Sequence, residues 1–110
     1  MFEYSEVKKL IISYEGVVKS YPYGKNIEVY SLNEQMFALL YKDLTPLQIS
    51  LRCDRLLAKH LKEKYETVLS GKDLNPRSWI TVILTGQLTL EEVRDLIRHS
   101  YEITKQLESN

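Results

Sequence analysis

The spacing of apolar residues along the chain changes from a helical period to a strand period and back, and each change marks a predicted element. Val7, Leu10, Ile11, Tyr14 and Val18 recur at helical spacing. This predicts an amphipathic helix from near Ser5 to Glu15, with Gly16 in the left-handed position that ends it. A turn follows at Tyr21-Pro22-Tyr23-Gly24-Lys25-Asn26. Ile27 to Leu32 and Gln35 to Tyr41 then read as two strands of a hairpin joined by Asn33-Glu34. Asp43-Leu44-Thr45-Pro46 breaks the chain again. Beyond it Leu47, Ile49 and Leu51 alternate with Gln48, Ser50 and Arg52, the period-two pattern of a strand with one wet face.

Asp54 is a good helix N-cap, and Leu56, Leu57, His60, Leu61 and Tyr65 follow on one predicted helical stripe. Turn formers then crowd between Ser70-Gly71 and Asn75-Pro76, with a short extra strand expected around Val68. The run Trp79-Ile80-Thr81-Val82-Ile83-Leu84 is β-branched at four of six positions, which predicts a strand covered on both faces inside a sheet. The last helix carries the clearest local code. Thr89 and Glu92 have the spacing of a capping box, Leu88 and Val93 that of a hydrophobic staple, and an apolar stripe runs from Leu90 to Leu107. Glu108 to Asn110 are expected to fray. The predicted fold is α+β, one antiparallel sheet with helices packed on it in the order α-β-β-β-α-β-α.

Composition narrows the function classes. At 110 residues, 44% hydrophobic and 27% charged, the chain has the size and balance of a single globular domain spanning 1–110. It has no apolar run of membrane length, and Phe2-Glu3-Tyr4-Ser5-Glu6 is unlike a secretory leader. A single cysteine, Cys53, fits a reducing compartment, so a cytoplasmic location without membrane attachment is expected. Cys53 lies between Arg52 and Arg55, where a reactive thiolate is conceivable, but free cysteines are mostly buried, and a packed thiol is the expectation.

Fifteen basic and fifteen acidic residues cancel, which argues against strong nonspecific phosphate binding. The charge is uneven, however. Residues 52–77 hold seven Lys or Arg against four acids, and residues 91–108 hold five acids against three bases. No phosphate-cradling glycine loop is present, and His60 and His99 fall on different predicted helices without a nucleophile motif. Glu63 lies three residues after His60 but has no companion to complete a metal site. We therefore expect neither catalysis nor a cofactor or metal.

Five segments, taken in order, carry a resemblance. They are Tyr21-Pro22-Tyr23-Gly24, Gln35 to Leu40, Leu51-Arg52-Cys53-Asp54, Leu74 to Val82 (L-N-P-R-S-W-I-T-V) and Leu96 to Tyr101 (L-I-R-H-S-Y). Together they resemble the MmcQ/YjbR family. The likeness implies a small double-wing α+β fold, a DNA-binding role suggested by that fold's similarity to certain transcription-factor domains, and no enzymatic activity. The family usually has Lys where Pro76 stands, His where Ser78 stands, and often Gly-Lys where Glu34-Gln35 stands.

If duplex DNA is the partner, bound weakly, hairpin wings approach a groove while basic side chains neutralise phosphates. The candidate contacts are Lys25, Arg52, Arg55, Lys59, Lys72, Asn75 and Arg77. A protein-interaction or homodimerising module without a nucleic-acid role is the alternative, favoured by the neutral net charge and by Tyr21 and Tyr23. A third reading is a small ligand in a cleft near Arg77 and Trp79. Trp79 itself, opening an apolar strand, is expected to pack in the core.

Overall fold

A computed structural model describes residues 2–108. Three helices and six strands follow in the order α1 (Tyr4–Ile12), β1 (Val17–Ser20), β2 (Ile27–Leu32), β3 (Gln35–Tyr41), β4 (Gln48–Arg52), α2 (Arg55–Lys64), β5 (Val68–Ser70), β6 (Trp79–Ile83) and α3 (Leu90–Glu108). All strands pair antiparallel in one sheet of spatial order β1-β2-β3-β4-β6-β5. The expected order holds, with two short strands added at the two edges. One of them, β5, is the strand anticipated around Val68; the other, β1, was not expected. α3 includes Glu108, and the rest of the expected fraying end, Ser109 and Asn110, lies outside the described residues.

β1 corrects the sequence reading. The first helix stops at Ile12 rather than Glu15, and Val18 belongs to no helical stripe. The β-branched pair Val17-Val18 instead pairs with Leu32 and Ser31, covering the edge that β2 would otherwise expose. Gly16 makes the change of direction at φ +83, and Leu32 Cδ1 would lie 3.0 Å from any Cβ placed there. Val18 points outward and is 62% exposed.

The β2–β3 hairpin turns on Asn33 and Glu34, both at positive φ (46° and 69°). This is the geometry of a two-residue hairpin, where glycine at the second position removes the strain that Glu34 carries. A bulge between Tyr30 and Ser31 leaves Phe37 as the extra residue of β3.

The helices cover one face of the sheet. Tyr30, Phe37, Leu40, Ile49, Leu51 and Ile80 pack there against Val7 and Ile11 of α1, Ala58 and Leu61 of α2 and Ile97 of α3. The α3 cap forms as expected, with Thr89 N–H donating to Glu92 Oε1 (2.8 Å) and Glu92 N–H to Thr89 Oγ1 (3.1 Å). Leu88 and Val93 are buried beside it. At the head of α2, Asp54 Oδ2 accepts from Leu56 and Leu57 N–H, both at 3.1 Å. The α2 stripe is narrower than expected. It runs through Leu57, Ala58, Leu61 and Tyr65, whereas Leu56 is 76% exposed and His60 is also in solvent.

On the other face the expectation of a wet β4 side fails at Ser50, which is fully buried. The segment between β5 and β6 folds back over part of this face and covers the Ser50–Thr81 pair. Tyr41 Oη and Ser50 Oγ are 3.0 Å apart, Ser50 Oγ and Thr81 Oγ1 are 2.7 Å apart, and Thr81 Oγ1 accepts the Lys72 N–H at 3.3 Å. These hydroxyls satisfy one another, so burial leaves none of them unpaired. Around them a second small core forms from Val29, Leu39, Tyr41 and Trp79, flanked by Ile27, Met36, Leu44 and Leu74.

Gly71 is what lets the covering segment approach. A Cβ at this position would lie 2.6 Å from Trp79 Cβ and 3.3 Å from Leu74 Cβ, closer than packed carbons tolerate. We expect Gly71→Ala to lower stability by about 1–3 kcal/mol through overpacking, read as a lower urea midpoint at unchanged slope.

Candidate functional site

The structure sends five of the seven residues expected to meet a ligand to two different clefts, and Arg52 and Asn75 line neither. Arg55, Lys59 and Arg77 come together. Arg55 and Lys59 are one helical turn apart on α2, and the segment before β6 brings Pro76 and Arg77 against them to form a groove of about 440 Å³. Lys62, three residues after Lys59 on the same helix face, lines the groove too. It was not among the expected contacts, although its i+3 and i+7 spacing from Lys59 and Arg55 was legible. The groove lining contains no acidic residue, and among the described residues none of the four cations is ion-paired. Lys62 Nζ donates to Ser70 Oγ at 3.3 Å, a bond that leaves its charge unneutralised.

Arg52 has a different task. Its guanidinium carbon stands 4.8 Å from the Trp79 ring centroid and its Nε donates to the Met36 carbonyl at 2.6 Å. Burial lowers its pKa from the ordinary value, and arginine nonetheless stays charged at any physiological pH. It shares a shallow hollow with Arg55, Arg77 and Ser78, so it adds positive potential beside the groove while its side chain is committed to the fold. Asn75 shapes the approach: its Oδ1 accepts the Arg77 N–H at 3.0 Å and its carbonyl accepts the Ser78 N–H at 3.1 Å, the bonds of an Asx-type turn.

Lys25 and Lys72 lie elsewhere. Both line a cleft of about 560 Å³ on the sheet face away from the helices, floored by Ile27, Leu39 and Tyr41 and walled by Leu44 and Leu74. Lys72 Nζ sits 4.9 Å from the Tyr41 ring centroid. Asp43 and Asp73 line the same cleft.

The remaining reactive groups are held by the fold. Cys53 is buried; that burial, with Asp54 beside it, pushes its thiol pKa up to about 12, so the thiolate needed for nucleophilic chemistry is scarce at neutral pH. His99 Nε2 accepts the Asp54 N–H at 3.0 Å, which ties α3 to the start of α2. Ser100, fully buried, does the same for the sheet: its Oγ accepts the Arg52 N–H at 2.9 Å and donates to the Phe37 carbonyl at 2.5 Å, at the bulge. Tyr101 stacks on Tyr14 with centroids 4.6 Å apart and donates to the Glu15 carbonyl at 2.7 Å. Among the described residues no group of three His, Cys, Asp or Glu is placed to hold a metal ion. Nor is any helix among them long and apolar enough to cross a membrane.

A single antiparallel sheet with three helices on one face and loop-walled clefts on the other defines a small α+β domain with a basic groove at its α2 end. The chain belongs to the YjbR family, whose model matches residues 12–103. Its fold is similar to that of a Deinococcus radiodurans protein with the DUF419 family domain, at a TM-score of 0.88 and 22% identity over 93% of this chain and 78% of that one. It is also similar to a Pseudomonas syringae protein, at a TM-score of 0.76 and 24% identity over 94% of this chain and 99% of that one. At these identities the likeness is one of fold. No curated protein matches the sequence.

Proposed function

We propose that the protein is a non-enzymatic binder of duplex DNA that docks the α2 groove on the phosphate backbone. The observation that carries this reading is the convergence of Arg55, Lys59, Lys62 and Arg77 on one groove with no acid in its lining. Four uncompensated cations on adjoining elements create a local positive potential in a chain of zero net charge. Phosphate is the ligand chemistry that such a surface suits, because each lysine or arginine that meets a phosphate releases a condensed counterion. The groove lining has no Asn or Gln to read adenine and no acid to read cytosine, so binding rests on phosphate contacts and is weak and tolerant of sequence.

Anisotropy of a labelled duplex across a salt series tests this. With four phosphate contacts, log K should fall with log salt at a slope of about −3 to −4, a loss of about a hundredfold between ~50 and ~200 mM salt. In the triple variant Arg55→Ala, Lys59→Ala, Arg77→Ala the slope should shrink to about −1. Lys72→Met, in the other cleft, should leave it unchanged. Absence of binding at low salt, or an unaltered slope in the triple variant, defeats the reading.

A further inference from the structure

We infer that the cleft on the helix-free face binds a free amino acid with a large apolar side chain, holding its carboxylate with Lys25 or Lys72 and its ammonium with Asp43 or Asp73. The site is separate from the α2 groove and does not depend on the DNA reading. Its size, about 560 Å³, falls within the range of about 300–1,000 Å³ typical of small-ligand clefts. Ile27, Leu39, Tyr41, Leu44 and Leu74 supply the predominantly apolar floor and walls that such sites use for affinity, and a few charged groups converge on the rim.

Charge complementarity selects the ligand. Two lysines and two aspartates line one cleft, yet among the described residues none of the four is ion-paired, with one another or with any other group. A purely anionic ligand would satisfy the lysines and be repelled by the aspartates, and a purely cationic one would meet the reverse. A zwitterion with an apolar body meets both signs and the floor together. Backbone geometry fixes one side of this pairing. Asp73 is held at φ +53, a left-handed conformation that aspartate tolerates better than most residues, directly after Lys72, whose N–H is anchored to Thr81 Oγ1. The Lys72 ammonium stands 4.9 Å from the centroid of the Tyr41 ring, one of the residues that floor the cleft.

Titration of the ¹⁵N-labelled protein with L-phenylalanine, followed by amide chemical shifts, tests the inference. Saturable shifts confined to residues 23–27, 39–44 and 72–74 are expected, with a dissociation constant on the order of 0.1–1 mM. 3-Phenylpropionate, which lacks the ammonium, and 2-phenylethylamine, which lacks the carboxylate, should each bind at least about tenfold more weakly, because each leaves one pair of rim charges unmet. Lys72→Met and Asp43→Asn should weaken phenylalanine by a similar factor while leaving the fold intact, checked by the unchanged spectrum elsewhere. The inference is overturned if no saturation occurs up to about 10 mM. It is equally overturned if either single-charge analogue binds as well as phenylalanine, or if the shifts map outside the cleft.

Discussion

Replacing Glu28 with alanine is expected to lower stability by about 3–5 kcal/mol, the size of effect seen when one member of a buried charge network is removed. Glu28 is 1% exposed and lies on β2 under α1. Its carboxylate accepts hydrogen bonds from Tyr30 Oη at 2.6 Å, Tyr4 Oη at 2.7 Å and Tyr21 Oη at 3.3 Å, with the Lys19 and Lys42 ammonium groups each 3.9 Å away. One side chain thus joins α1, β1, the turn after it, β2 and the chain leaving β3. α1 depends on it most. That helix is nine residues long with no side-chain N-cap, and Tyr4 is its first residue. Without the carboxylate the fully buried Tyr30 hydroxyl loses its acceptor, and orphaning such a donor costs about 1–3 kcal/mol by itself.

Glu28→Gln keeps one acceptor oxygen but not the charge and should retain roughly half of the stability that Glu28→Ala loses. Urea midpoints across pH separate the contributions. Burial alone would raise the Glu28 pKa, but the Tyr30 and Tyr4 hydroxyls and the Lys8 and Lys19 charges outweigh it and hold the group below its ordinary value of 4.5. Its contribution is therefore complete above about pH 4.5 and fades as pH falls through the lower folded value, because the unfolded chain takes up the proton first. Tyr30 behaves in the opposite sense. Burial and the neighbouring Glu28 raise its pKa well above 10, so stability falls as pH rises past 10, where only the unfolded phenol ionises. In Glu28→Gln the acid-side loss should flatten. An unfolding free energy for Glu28→Ala within about 1 kcal/mol of the parent would show that the lysines and tyrosines find other partners.

The elements with local codes were legible. Asp54, the Thr89–Glu92 box and the Asn33-Glu34 hairpin each involve residues within a few positions of one another, and periodicity within a strand or helix is equally local. What the sequence concealed depends on partners far along the chain. Val18 continues a helical stripe as well as it fits a strand, and only the open edge of β2 decides between the two. Ser50 reads as a wet-face residue until the segment from Gly71 to Ser78 is seen to cover it and Thr81 to meet it 31 residues away. Glu28 alternates with apolar neighbours as a surface residue does, and its acceptor role needs tyrosines from α1 and from the turn after β1.

The candidate site divides along the same line. Arg55 and Lys59 share a helix face by spacing alone, whereas the separation of Arg77 from Lys72, five residues apart, follows from the path of one loop. Partners far along the chain also hold several residues of the segments that carry the family resemblance. Ser100, Tyr101, Thr81 and Trp79 hold α3, the bulge and the covering segment together, so those positions of the signature describe how the domain is assembled.

Trp79→Ala is expected to cost about 3–5 kcal/mol, the usual range for truncating a buried tryptophan. The ring is 3% exposed, lies among Val29, Leu39 and Tyr41, and has Gly71 against its Cβ. Truncation opens a cavity under the covering segment, and it removes the aromatic face from the half-buried Arg52 guanidinium, a contact worth about 2 kcal/mol when desolvated. Arg52 would keep its bond to the Met36 carbonyl and lose the ring that shields its other surface. Because this is the only tryptophan, its fluorescence reports the site without interference, and the native emission should be blue-shifted and poorly quenched by acrylamide. Trp79→Phe should recover most of the stability, since a smaller aromatic ring still fills the cavity and faces the guanidinium. The comparison also decides whether the ring has a second task as a stacking platform for bases. Its burial predicts that Trp79→Phe leaves duplex affinity and its salt slope unchanged. A Trp79→Phe protein of near-parent stability that binds DNA tenfold more weakly would place the ring at the interface and the phosphate contacts around it rather than in the α2 groove.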